Sequence, residues 1–346
     1  MRRPTSIDWR AAATQLAMAV PRTRLHPEVL AWSLTAEARQ TWAVAFSGGA
    51  DSLALLLLLW AHWPGQRRRL VAIHFNHRLR GATADRDERF CQVVAESLGI
   101  RWRRGRWSES VRGASEAQAR TARHAYFSHE LRRLRTNALW LGHQQDDVVE
   151  TMLMRLARGS GTAGMAAPRP IQRMVDGRVH LRPLLGLKKI EIVEHLMSQK
   201  IPWREDASNR AGKFLRNRLR QDVVPAWRLA NADRDALAGA ALSRELLEED
   251  DNALEVWLSE IRPLTAAGGL NLRRLVGRPR GLVRRALHLW LGAQATGVGL
   301  SRQAFTAILD DVIKGRVTRH SLGRGGFVKI GRYQLMFEVA RGKLSN

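Results

Sequence analysis

Residues 41–52 read Thr-Trp-Ala-Val-Ala-Phe-Ser-Gly-Gly-Ala-Asp-Ser, and the apolar run Leu53 to Trp60 follows without a break. Trp42 to Phe46 is a short run of β type, and Ser52 to Trp63 is long enough for a helix. Between them, two consecutive glycines let the backbone curl so that its N–H groups and the helix N-terminus face one anion. Ser47 and Ser52 add hydroxyl donors, while Asp51 would repel a phosphate unless a divalent cation lay between them. Ser47, Gly48, Gly49, Ala50, Asp51 and Ser52 are therefore expected to cradle a Mg²⁺-pyrophosphate group, with Asp51 as a metal ligand. A turn capped by Ser or Asp gives a similar string in isolation; here strand, loop and helix come in the right order. No Gly-Lys-Ser or Gly-Lys-Thr occurs, so the lysine-bearing phosphate loop is absent.

Outward from this stretch, β-like runs recur at Leu70 to Phe75, Ile100 to Arg103 and Ala138 to Leu141, with a weaker fifth near Val179 to Leu181. Helical segments Ala84 to Leu98, Ser115 to Leu134 and Asp146 to Arg158 separate them. A spacing of about 30 residues, helix included, is that of βαβ units and a parallel sheet, whose ligands sit beyond the carboxyl ends of the strands. The fold class expected for 41–224 is α/β with a parallel, Rossmann-like sheet. From about Pro225 the texture turns Ala/Leu-rich and helical, predicting a helical domain over 225–315. A small β element over 316–346, with strands at His320 to Ile330 and Arg332 to Val339, completes the chain, and residues 1–40 read as an N-terminal extension.

A second chemical constellation follows the fourth strand: His143, Asp146, Asp147 and Glu150 share one helix face, with Val149, Met152, Leu153 and Leu156 on the other. A solvated polar face looks the same, but this helix starts at the sheet edge that carries the phosphate loop. Carboxylates there can hold Mg²⁺, and His143 can move protons near neutral pH. Farther on, Arg216 and Arg220 share a helix face and suit phosphate or transition-state charge. His74 and His77 lack a third ligand nearby for a metal, so nucleotide or substrate contact suits them better. Gly159, Gly161 and Gly164 match dinucleotide spacing but end a helix instead of following a strand, which rejects a nicotinamide or flavin site.

The charge balance agrees with a polyanionic partner: 57 Lys+Arg against 32 Asp+Glu gives +25, on ordinary globular values of 45% hydrophobic and 26% charged residues. Cys91 is the one cysteine, which excludes an internal disulfide and any mechanism needing two thiols. The run Leu53 to Trp60 is far short of the roughly 20 residues a spanning helix needs, and the N-terminus lacks a secretory apolar region. A cytoplasmic protein is expected.

The phosphate loop resembles that of the PP-loop, or N-type, ATP pyrophosphatases, which cut ATP between its α and β phosphates and adenylate a substrate. Joined with His74-Phe75-Asn76-His77-Arg78-Leu79-Arg80, Glu116-Ala117-Gln118-Ala119-Arg120, His143 to Thr151, Arg158-Gly159-Ser160-Gly161, Arg182-Pro183-Leu184-Leu185 and Arg216-Asn217-Arg218-Leu219-Arg220, it is similar to the tRNA(Ile)-lysidine synthases. Arg78 departs from that family, which more often has Gly in this turn. The resemblance implies an ATP- and Mg²⁺-dependent ligase. It would adenylate the C2 oxygen of the wobble cytidine in the CAU anticodon of tRNA(Ile), then let the ε-amine of lysine displace AMP.

It further implies catalytic roles for His143, Asp146, Asp147, Glu150, Arg216 and Arg220, a Mg²⁺ shared by Asp51 and Asp147, and substrate contacts from His77, Arg80, Glu116, Arg120 and Asn217. The helical domain would bind tRNA. The ε-amine has a pKa of about 10.4, so presenting it neutral at pH 7 costs roughly 4–5 kcal/mol unless a base or desolvation assists; His143 or a carboxylate of its helix is the candidate base. Arg101, Arg103, Arg104 and Arg106, interleaved with Trp102 and Trp107, suit RNA contact or simply a basic edge strand. The rival readings are a tRNA thiolase, which lacks its cysteines here, a small-molecule adenylating synthetase, and a noncatalytic RNA-binding protein.

Overall fold

The computed structural model describes residues 7–78, 81–107, 115–205, 215–294, 300–322 and 326–338. It begins with two helices, α1 (Trp9–Ala19) and α2 (Pro27–Trp32), the first capped by the Asp8 carboxylate. Then come β1 (Trp42–Ala45), α3 (Ala50–His62), β2 (Leu70–Asn76), α4 (Ala82–Ser97), β3 (Arg101–Arg106), α5 (Glu116–Arg133), β4 (Ala138–Trp140) and α6 (Gln145–Leu156). After the short α7 (Thr162–Met165), the hairpin β5 (Ile171–Arg173) and β6 (Val179–Leu181) leads to α8 (Lys189–Ser198). A helical run follows: α9 (Leu215–Arg218), a π-helical turn at Leu219–Val223, α10 (Val224–Ala230) and α11 (Ala236–Ile261).

The first sheet has the order β3-β2-β1-β4-β6-β5, parallel except for the antiparallel edge strand β5. Because β1 pairs with β2 on one side and β4 on the other, the chain reverses its winding direction between β1 and β4. Loops leaving these two strands diverge and open a crevice at their carboxyl ends, the place where such sheets bind ligands. The loops are the phosphate loop and the segment that opens α6.

The reason α3 is apolar on every side is that it is covered on every side. Its leucines from Leu53 to Leu59 are all buried, and α1 and α8 pack on it. Trp9, Ala12, Ala13 and Leu16, spaced as one helix face, join that core, as do Val29 and Trp32. Residues 9–32, within the stretch 1–40 expected to be an N-terminal extension, thus pack as part of the α/β unit, and the signal for this was the helical spacing of those four positions. Trp42 and Trp140 lie side by side on the sheet with ring centroids 4.3 Å apart, while Trp32 and Trp63 meet them edge-on.

The chain divides into compact units at Met1–Glu248 and Glu249–Asn346, a boundary within α11. The change of texture at Pro225 does not mark it, because Val224, Trp227 and Leu237 pack with Val149 and Leu153 of α6. In the second unit β7 (Leu270–Asn271), α12 (Arg280–Gly292), α13 (Arg302–Ile313), β8 (Thr318–Ser321), β9 (Phe327–Ile330) and β10 (Gln334–Glu338) follow α11. Its antiparallel sheet has the order β7-β10-β9-β8. The expected separation of a helical segment from a terminal β element fails here, since β7 pairs with β10 and Leu287, Trp290, Ile308, Val328 and Leu335 form one core.

Candidate active site

In the phosphate loop Ser52 Oγ bridges the turn: it accepts from the Ser47 amide at 3.2 Å, meets Ser47 Oγ at 3.0 Å and donates to the Gly49 carbonyl at 3.1 Å. Gly48 takes φ +87°, and its carbonyl accepts the Arg204 amide at 2.8 Å. Arg204 in turn donates through Nε to the buried Asp87 carboxylate at 2.7 Å. Gly49 caps α3 with the first helical amides above it, so the loop presents backbone donors at a helix N-terminus.

Asp51, in the first turn of α3, has Oδ1 buried without a hydrogen-bond partner, and Lys189 Nζ stands 3.7 Å from Oδ2. Burial raises its pKa to about 6, with the Asp147 and Asp146 charges adding to that and Lys189 and Arg220 opposing it. A carboxylate with an unpartnered oxygen at the phosphate loop fits Mg²⁺, which takes one or two carboxylates and completes its shell with phosphates and waters.

Asp147 does not fit that ion as the structure holds it. Its Oδ1 accepts from Arg216 Nη2 at 2.6 Å and Arg220 Nη2 at 3.4 Å, and its Oδ2 accepts the Gln144 amide at 3.1 Å. The expected sharing of Mg²⁺ by Asp51 and Asp147 is corrected accordingly: two guanidiniums already neutralise this carboxylate. Among the described residues no group of three or more His, Cys, Asp or Glu could hold a metal.

Glu150, 1% exposed, accepts from Arg216 Nε at 2.6 Å and from Arg220 Nε at 2.5 Å and Nη2 at 3.0 Å. Burial disfavours charge at Asp147 and Arg220, but the opposing charges win: Asp147 is held below its usual range by Arg216 and Arg220, and Arg220 above its own by Glu150. The acidic face of α6 is thus an arginine clamp, and the arginines come from the α9 and π-helical segment. Asn217 lies on α9 between them, partly buried.

Asp146 turns the other way and accepts the Lys189 amide, the first of α8, at 2.9 Å. It ties α6 to α8. His143 receives a hydrogen bond at Nδ1 from Arg182 Nε at 2.9 Å. Burial lowers its pKa to about 3, aided by Arg182, Arg216 and Arg123 against Asp147, so the ring is neutral. The expected base role for His143 would need Nδ1, the ring nitrogen that already accepts from Arg182.

His77 stands at the end of β2 with its ring edge-on to Phe75 at 4.8 Å. His74 is a core residue, bonded to the Phe46 carbonyl at 2.9 Å and stacked on Trp102. Arg104 and Arg106 of the basic edge strand both pair with Glu88, and Trp102 packs inward against the core. Arg120 is exposed on α5, near enough to Arg182 and His124 to lower both. Arg80 lies outside the described residues, as does the side chain of Glu116.

Three participants escaped the sequence reading. Lys189 follows the Arg182-Pro183-Leu184-Leu185 stretch; Arg204 pins the phosphate loop; and Gly142 lies in the loop after β4, where an added Cβ would lie 2.8 Å from the Asp51 carbonyl oxygen. Gly142 occupies the same strand-to-helix position as Gly48, which was its available signal.

An anion cradle at a helix N-terminus, a carboxylate suited to Mg²⁺ and a carboxylate-held arginine pair, all at one topological crevice, define a nucleotide-binding α/β protein. The model of the PP-loop domain matches residues 22–227, and the chain belongs to the PP-loop domain family. It is 36% identical over 253 residues to a protein of Geobacter sulfurreducens named tRNA(Ile)-lysidine synthase, covering 70% of this chain and 52% of that one. Proteins of the same name from Pseudomonas aeruginosa and Bacillus subtilis are 36% and 31% identical, each over 72% of this chain and over 58% and 55% of their own. The chain therefore spans little more than half the length of these relatives. Among solved structures, a U34-tRNA thiolase from Methanococcus maripaludis shares the fold, with TM-score 0.51 and 15% identity over 67% of this chain and 80% of that one.

Proposed function

We propose that this chain is an ATP-dependent tRNA(Ile)-lysidine synthase. It would transfer AMP to the C2 oxygen of the wobble cytidine of a CAU anticodon and form a carbon–nitrogen bond to the ε-amine of L-lysine, releasing pyrophosphate and AMP. The observation that carries the reading is the phosphate loop set beside the Asp147–Glu150–Arg216–Arg220 clamp at the crevice between β1 and β4, in a chain 31–36% identical to proteins of that name.

The geometry supports a role for each part of the site. The loop amides and the N-terminus of α3 bind the phosphates. Lys189 adds a cation beside them. Mg²⁺ held by Asp51 would screen the phosphate charge and orient the α-phosphorus for attack. Arg216 and Arg220, fixed by Glu150 and Asp147, face the charge that develops on the α-phosphate, so the two carboxylates are positioning residues. A C2 oxygen is a poor leaving group until AMP is attached, which is why an ATP-splitting loop belongs in this reaction. The substrates place the reaction in the cytoplasm, and no helix among the described residues is long and apolar enough to cross a membrane.

Sulfur transfer is the rival chemistry on this fold. Cys91 is fully buried, and burial, with Asp87 and Glu88, pushes its thiol well above the usual range, so it is no nucleophile. The chain should be incubated with ATP, Mg²⁺, labelled lysine and a tRNA bearing a CAU anticodon, each then omitted in turn. Lysine incorporation in the complete mixture alone supports the reading; transfer to a small acceptor, or from a sulfur donor, defeats it. With a net charge of +25, tRNA binding should also weaken steeply with salt.

A further inference from the structure

His143 receives its hydrogen bond from a group that can only donate. A guanidinium has five N–H donors, no acceptor, and does not lose its proton in a protein. Arg182 Nε lies 2.9 Å from His143 Nδ1, so Nδ1 is the bare nitrogen of the ring. The proton of the neutral imidazole is therefore on Nε2.

Arg182 cannot easily be moved to release that constraint. It is 5% exposed and also donates to the Arg169 carbonyl at 2.7 Å and to Gln172 Oε1 at 3.0 Å, with Nη2 lying 3.4 Å from His180 Nδ1. None of these four acceptors is a carboxylate, so among the described residues this buried cation is not spent on an ion pair; its hydrogen bonds fix its position. A second proton could enter the His143 ring only at Nδ1, against the Arg182 guanidinium and with Arg216 and Arg123 nearby. Asp147 is the one neighbouring charge that favours it.

We propose that Arg182 is a positioning residue that holds His143 as a neutral Nε2–H donor, and that His143 serves the reaction by hydrogen-bonding a substrate oxygen, not by taking a proton from the attacking amine. The proposal rests on the functional reading above and deepens it. As the lysine nitrogen bonds to C2 of the cytidine, the C2–O bond breaks and its electron pair leaves with AMP. The surplus proton of the amine passes to water, and the proton on His143 Nε2 stays there, directed to the oxygen that gains charge. A neutral imidazole is suited to this, since it stabilises the charge without surrendering a proton.

Two measurements on the full chain test this. In ¹⁵N-histidine-labelled protein the His143 resonances, assigned by their loss in His143→Gln, should have the Nε2–H pattern from pH 5 to 8. Arg182→Lys, which can only donate, should keep that pattern, and Arg182→Gln, which can accept as well, should release it to a mixture. A wild-type Nδ1–H or doubly protonated ring at pH 7, or an Arg182→Gln spectrum identical to wild type, overturns the proposal. In single-turnover lysine transfer from adenylated tRNA, His143→Gln keeps an N–H donor and should slow the step no more than about tenfold, whereas His143→Ala should lose roughly 100- to 1,000-fold. Glutamine as slow as alanine would mean that a base is needed, and would overturn the donor role. If the wild-type chain transferred no lysine, the functional reading would fail while the spectra still decided the tautomer.

Discussion

The amide of Arg204 donates to the carbonyl of Gly48 across 2.8 Å, and the Arg204 side chain lies over the same glycine. A Cβ on Gly48 would stand 3.0 Å from Cys91 Sγ, 3.2 Å from Phe90 Cδ1 and 3.3 Å from Arg204 Cγ, on a backbone at φ +87°. The loop is thus closed from three sides, and a Cβ at this turn would have to push three side chains back by a few tenths of an ångström. Gly48→Ala should cost about 1–3 kcal/mol from the left-handed backbone and the crowding together. It should also raise KM for ATP more than the loss of stability alone would, because the displaced amides are the proposed phosphate donors. Titration of ATP binding against thermal unfolding separates the two effects, and an unchanged KM would contradict the placement of this loop.

Gly142 makes a different kind of contact. Its missing Cβ faces backbone, 2.8 Å and 2.9 Å from the carbonyl oxygen and carbon of Asp51 and 3.1 Å from the Ser52 amide. Backbone cannot rotate aside as a side chain can, so Gly142→Ala should push β4 and the N-terminus of α3 apart. We expect a loss of at least about 2 kcal/mol by chemical unfolding and failure of ATP protection from heat. Wild-type stability would show that the two loops stand farther apart than described.

The arginine clamp predicts a pronounced asymmetry between single and double changes. Glu150→Ala takes a buried carboxylate away from two partly buried guanidiniums and should cost about 3–5 kcal/mol. Removing Arg220 as well should restore part of that loss, giving a coupling energy of roughly 1–3 kcal/mol in a double-mutant cycle. Additive losses would mean that Glu150 and Arg220 do not act on each other.

The parts of this site that the sequence made legible are those in which the signal is local. Strand, phosphate loop and α3 occupy twenty-odd consecutive residues, and the periodicity of 143–156 gave α6 its polar face. What that face touches was not legible, because Arg216 and Arg220 are 66 and 70 residues from Glu150. An acidic face without visible partners reads as a metal site; with two guanidiniums on it, it becomes a clamp. The same limit hid β5 and β7, whose three and two residues carry no periodicity and exist through pairing with β6 and β10. Likewise the sequence of β3 suited RNA contact and a plain basic edge strand equally, because the partner of Arg104 and Arg106, Glu88, lies on another element.

Glu88 predicts an acid limit to stability. It is 3% exposed and accepts from Asn76 at 2.9 Å, Arg104 at 2.7 Å and Arg106 at 2.9 and 3.1 Å, joining β2, α4 and β3. Burial opposes its charge, yet the hydrogen bonds from Arg106, Asn76 and Arg104 lower its pKa from 4.5 to about 2. A depressed carboxylate contributes stability that is fully present above its unfolded pKa and lost as pH falls through the folded value. Unfolding free energy should therefore decline between about pH 4.5 and 2 by roughly 2–3 kcal/mol more in wild type than in Glu88→Gln. Parallel pH profiles for the two proteins would remove this residue from the acid response.

Arg78 offers the opposite test, a substitution expected to stabilise. Its backbone takes φ +55° just after β2, with its amide bonded to Asn76 Oδ1 at 2.8 Å. That conformation costs a side chain about 1–2 kcal/mol relative to glycine, part of which glycine gives back through the freedom of its unfolded chain. The amide bond to Asn76 survives the change, and the Arg78 side chain is exposed, so nothing buried is lost. Arg78→Gly should raise stability by roughly 0.5–1 kcal/mol, a shift of about 1–4 °C in melting temperature. If the arginine instead holds tRNA phosphate, the same variant will be more stable yet bind tRNA less tightly, with a shallower dependence on salt. A lower melting temperature would mean that the turn is not left-handed at this residue, and the local backbone would have to be redrawn.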